Sequence, residues 1–119
     1  MAEEERLKRV TEICLALPGA EREICDSHAA FKAKKKTFAY FLNDHHGDGI
    51  VGLACKVLPG ENTALIAASP KRFYMPAYIG PRGWVGLRLD VGRVNWGEVK
   101  DLVGMSYSLV GGKKLRHLH

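Results

Sequence analysis

At 119 residues, 46% hydrophobic and 26% charged, the chain is long enough for one packed core and too short for two ordinary domains. No apolar run approaches the roughly 18 to 20 residues of a membrane span, and the charged opening MAEEERLKRV lacks the apolar centre of a secretory signal, so one cytoplasmic domain over residues 1–119 is expected. The net charge of +5 is uneven, with four basic and seven acidic side chains in residues 1–26 (net −3) against fourteen and six in residues 27–119 (net +8); a basic body favours anionic partners, nucleic acid foremost.

The spacing of Leu7, Val10, Ile13, Cys14 and Leu17 predicts an amphipathic helix over Glu3 to Leu17, and Pro18-Gly19 stops it. Ala20 to Ser27 reads as a brief edge strand or a connector. His28 to Asn43 predicts a β-hairpin, because Phe31 and Ala33 alternate before a lysine-rich centre and Phe38, Tyr40 and Leu42 alternate after it. Lys34, Lys35 and Lys36 then sit at or beside the turn. They suit a wing against phosphates and, somewhat better, a solvated tip that discourages edge-to-edge association.

Asn43 to Gly49, NDHHGDG, is a turn-rich loop in which His45 and His46 stand beside Asp44 and Asp48. Adjacent histidines on one loop lack the separate, rigid delivery of ligands that a dedicated metal site uses, so no metal is expected. Cys14, Cys25 and Cys55 are an odd set without CxxC spacing and fit reduced, mostly buried thiols. Ile50 to Leu58 predicts another strand, ended by Pro59-Gly60. Glu61 to Ala68 suits a short helix capped by Asn62 or Thr63, and Ser69-Pro70 resembles a second helix start leaving Lys71 to Tyr74 as one turn.

Arg72 to Trp96 concentrates the chain's most informative residues: Tyr74, Tyr78 and Trp84, four arginines and the bend formers Pro76, Gly80, Pro81 and Gly83. Trp84 to Asp90 alternates as a strand, with Val85, Leu87 and Leu89 on one face and Trp84, Gly86, Arg88 and Asp90 on the other. An aromatic and an arginine on an accessible surface follow from that reading. Asn95 and Glu98 resemble a capping box, and Trp96, Val99, Leu102, Val103, Tyr107 and Val110 give the last helix a core-facing stripe before Gly111-Gly112. The basic tail Lys113 to His119 is expected to be mobile. The element order predicts an α+β fold, a two-layer sandwich in which an antiparallel sheet is covered by the N- and C-terminal helices.

Taken together, Leu15-Ala16-Leu17-Pro18-Gly19-Ala20, the hairpin around Phe31-Lys32 and Phe38-Ala39, Arg72-Phe73-Tyr74-Met75-Pro76, Gly83-Trp84-Val85 and Ser106-Tyr107-Ser108-Leu109-Val110 resemble the MmcQ/YjbR family over nearly the whole chain. The resemblance implies a compact fold like the frataxin-like and type III secretion chaperone-like arrangements, and DNA binding through a double wing. The hairpin with Lys32, Lys34, Lys35 and Lys36 corresponds to one wing. The Gly80 to Arg88 region, with Arg82, Trp84 and Arg88, corresponds to the other, and Arg72 completes the basic set. The Gly80-Pro81-Arg82-Gly83 turn departs from the longer, more polar approach to the tryptophan in other branches.

Two further function classes compete with DNA binding. In one, the aromatic Tyr74 to Trp84 region is a groove for a protein or small ligand, and the positive charge serves solubility. In the other, His28, His45, His46, Cys25 and Asp26 form a catalytic group, but no spacing supports a nucleophile-and-base pair, so neither catalysis nor a cofactor is expected.

Overall fold

The computed structural model describes residues 4–44 and 47–111. The chain runs α1 (Glu5–Leu15), β1 (Ala20–Cys25), β2 (His28–Ala33), β3 (Lys36–Asn43), β4 (Val51–Lys56), α2 (Glu61–Ala68), β5 (Phe73–Tyr74), a 3-10 turn (Gly80–Arg82), β6 (Trp84–Arg88) and α3 (Trp96–Gly111). Six antiparallel strands form one sheet in the order β1-β2-β3-β4-β6-β5. Between Cys25 and Asn43 the chain simply doubles back, because Asp26 and Lys34-Lys35 adopt positive φ in two-residue turns. Ala20–Cys25 is thus the edge strand rather than a connector.

One sheet face packs against the helices. Phe31, Phe41, Leu53 and Val85 are fully buried there with Val10 and Cys14 of α1 and Val99 and Val103 of α3, and each such side chain contributes about 1.5 to 3 kcal/mol of hydrophobic burial. Leu65 and Ile66 of α2 pack against the same cluster. Glu4 caps α1 by accepting from the Arg6 amide, which shortens the predicted helix at its start. Asn95 caps α3 by accepting from the Glu98 amide at 3.1 Å, but the Glu98 carboxylate turns away to Arg72 instead of closing a capping box.

Three local expectations are corrected. Phe38 and Tyr40 do not share a face: β2 pairs Phe31 with Ala39 and Lys32 with Thr37, so Phe38 is the extra residue of a β-bulge and drops into the core. Ser69-Pro70 starts no helix. The Arg72 and Phe73 amides both donate to the Ser69 carbonyl, and Phe73–Tyr74 then pairs with β6. Neither Asn62 nor Thr63 caps α2, whose cap is Gly60 at φ +82. Among the described residues no helix is long and apolar enough to cross a membrane. His45, His46 and the tail from Lys113 lie outside the described residues.

Candidate nucleic-acid interface

The strand register sorts charge to the two ends of the sheet. Lys36 opens β3 next to the Lys34-Lys35 turn, Lys56 closes β4 opposite Trp84, and the Val57 amide continues that ladder by donating to the Gly83 carbonyl, which brings Arg82 alongside. One end therefore carries Lys34, Lys35, Lys36, Lys56 and Arg82. The other end carries the β1–β2 turn with Asp26, the β3–β4 connection with Asp44 and Asp48, and Asp90 just past β6. At strand spacings near 4.8 Å, the hairpin tip and the Arg82 turn stand roughly 12 Å apart, the axial rise of about three or four successive phosphates.

The eight residues assigned to the two wings and the basic set separate into two groups. Lys34, Lys35, Lys36 and Arg82 are exposed at the shared end. Lys32 is engaged by Glu23 at 2.8 Å, which raises its pKa. Arg72 holds Glu98 through two bonds of 2.6 and 3.2 Å and lies over the Phe73 ring. Arg88 holds Asp90 at 3.0 and 3.2 Å. Both arginines belong to the far end of the sheet, since the Arg88 amide donates to the Arg72 carbonyl. Trp84 is only 9% exposed and packs with Leu42, Ala54 and the Tyr40 ring, so the expectation of an accessible tryptophan is corrected. Alternation gave its face rightly, but the loop that follows β5 lays Ile79 over that face.

Two polar residues that sequence reasoning missed hold the basic end in shape. Asn62, 7% exposed, donates from Nδ2 to the Gly80 carbonyl at 2.9 Å and the Trp84 carbonyl at 3.2 Å. Ser106 is fully buried; its hydroxyl accepts from the Lys56 amide at 2.8 Å and donates to the Phe38 carbonyl at 2.6 Å. The Phe38 bulge opens the β3–β4 ladder there, and Ser106 bridges the gap from α3. A polar side chain at a core-facing helical position is the signal that marks Ser106. Asn62 carries no comparable signal, because it sits in the first turn of a helix where a cap residue is ordinary.

A groove of about 620 Å³ opens at this end, lined among others by Lys56, Gly60, Asn62, Met75, Gly80 and Arg82. The cysteines lie away from this groove's lining. Cys14 and Cys55 are fully buried, burial pushing the Cys14 thiol up to about 12 and the Cys55 thiol well up, while Cys25 is exposed on the edge strand. Among the described residues no group of three or more His, Cys, Asp or Glu side chains is arranged to hold a metal ion.

The far end has its own packing device. Tyr74 lies across Gly52 of β4 and Gly86 of β6, where a Cβ on either glycine would collide with its ring. Its hydroxyl is buried and has no hydrogen-bond partner among the described residues. Burial, then the nearby Asp48 and Asp90 carboxylates, push the Tyr74 phenol up to about 12.

A two-layer α+β protein, with three helices on one face of a six-stranded antiparallel sheet and a cationic rim at one sheet end, is the class that these elements define. The YjbR family model matches residues 15–109, and the chain belongs to the YjbR family. It is similar to a crystal structure of protein DR2400 from Deinococcus radiodurans, a DUF419 domain protein, at 25% identity and a TM-score of 0.70, over 87% of this chain and 76% of that one. No curated protein matches the chain significantly.

Proposed function

We propose that this protein binds DNA through the basic end of its sheet, with Lys34, Lys35, Lys36, Lys56 and Arg82 neutralising phosphates, and that its role is binding rather than catalysis. The observation that carries this reading is the register: two turns far apart in sequence, Lys34-Lys35 and Gly80–Arg82, open on the same end of one sheet. A second feature supports it. Lys34 and Lys35 adopt φ +53 and +69, a pair of left-handed positions that Asn-Gly fills at least cost, whereas an L-residue with a Cβ costs about 1 to 2 kcal/mol at each. Keeping two lysines there trades stability for cationic charge at the tip.

The strained turn also supplies a clean test. Lys34→Asn/Lys35→Gly removes two charges while giving the turn its preferred residues, so the fold is retained. Binding of labelled DNA, followed by fluorescence anisotropy across a salt series, is expected to weaken, with the slope of log K against log salt falling by about 2, near 0.9 per lost phosphate contact. Parent protein that binds no DNA at low salt, or a slope unmoved by the double substitution, overturns the proposal.

A further inference from the structure

Tyr78 is 77% exposed, the most exposed of the large hydrophobic side chains among the described residues, and its backbone sits at φ +68. The Ile79 amide donates to the Ala77 carbonyl at 2.7 Å across it. That bond closes a γ-turn of the rare, strained hand, a conformation seldom tolerated by a bulky residue. The turn is held from every side: Pro76 is fully buried, the Gly80 amide donates to the Pro76 carbonyl at 2.9 Å, Ile79 packs on Trp84, and Asn62 anchors the Gly80 carbonyl. Such strain persists only where the surroundings over-determine it, and it clusters where a side chain must be presented.

Tyr78 lies in the connection from β5 to β6, at the same sheet end as Lys56 and Arg82. An exposed aromatic ring on a fixed turn, at a sheet end that also carries cations, is the arrangement by which proteins grip unpaired bases, stacking on the π-face while the charges follow the backbone. Stacked bases inside a duplex offer no such face.

Resting on the DNA-binding reading above, we infer that Tyr78 is a stacking platform for a base and that the preferred ligand of this end is single-stranded nucleic acid. Trp84, the neighbouring aromatic of the same stretch, is buried and offers no such face.

The test compares labelled oligothymidylate with a mixed-sequence duplex as probes for the parent protein, Tyr78→Gly, Tyr78→Phe and Lys34→Asn/Lys35→Gly. Glycine accepts positive φ, so Tyr78→Gly relieves the backbone and keeps its thermal midpoint at or above the parent's. It is expected to weaken oligothymidylate binding about tenfold and duplex binding less than about twofold, whereas Tyr78→Phe retains the parent affinity for both. The double lysine variant weakens both probes together. Oligothymidylate affinity unchanged in Tyr78→Gly but reduced in the lysine variant overturns the stacking inference and leaves the DNA reading standing. A parent that binds neither probe, or that captures a protein partner through Tyr78 while ignoring both, overturns the two together.

Discussion

Removing the Tyr74 hydroxyl is expected to stabilise the protein. That oxygen is buried without a hydrogen-bond partner among the described residues, while the ring beneath it fills the space that Gly52 and Gly86 leave open. A buried hydroxyl left unsatisfied costs about 1 to 3 kcal/mol, and Tyr74→Phe keeps the ring contacts, so after the small void is allowed for, a net gain of about 1 kcal/mol is expected at pH 7. The alkaline limb sharpens the test. The folded phenol titrates at about 12, above the unfolded value near 10. The neutral phenol's contribution is therefore complete below pH 10 and lost as pH rises through the folded value, on the order of 2 to 3 kcal/mol in all at about 1.4 per pH unit. Tyr74→Phe escapes that loss, and its advantage over the parent should widen between pH 10 and 12. Urea unfolding at neutral and alkaline pH measures both. A variant less stable than the parent at pH 7, or a difference constant through the alkaline range, would refute the orphan hydroxyl.

Ser106→Ala should destabilise by about 2 to 3 kcal/mol in urea unfolding, because it leaves the Lys56 amide and the Phe38 carbonyl facing an apolar helix; a loss below about 0.5 kcal/mol would mean that the ladder closes without it. Asp90 gives the acid limb. Burial raises its pKa, but the Arg88 hydrogen bonds and the Val51 amide outweigh it and hold the carboxyl below its ordinary value. Its contribution is therefore present above the unfolded pKa near 3.9 and lost as pH falls through the folded value. Asp90→Asn is expected to cost about 1 kcal/mol at pH 7 and to flatten the fall in thermal midpoint below pH 4, and an unchanged acid limb would remove Asp90 from the account.

Much of the fold was legible in the sequence, because period, turn chemistry and caps are local properties. The Lys34-Lys35 turn sits at the centre of the hairpin as read, α2 spans Glu61–Ala68 as read, and Asn95 caps α3. The family followed from short motifs in order along the chain, and the match over residues 15–109 bears it out. Tertiary contacts decided the rest. Period 2 assigns Trp84 to a face but is silent on what covers that face, and Ile79 arrives from a loop whose path no alternation encodes. Lys32 and Arg72 read as cations, yet each meets a carboxylate that only pairing register or helix docking brings near, Glu23 across β1 and β2 and Glu98 from α3, whereas Arg88 meets Asp90 two residues on, on the strand face that alternation already gave to both. The Phe38 bulge shifts the side-chain alternation of β3 and leaves a gap for Ser106, 68 residues further on, to close. Composition made the body of the chain basic. The antiparallel register, set by which faces had to be buried, gathered five of those charges at one end of the sheet and turned Asp26, Asp44, Asp48 and Asp90 to the other.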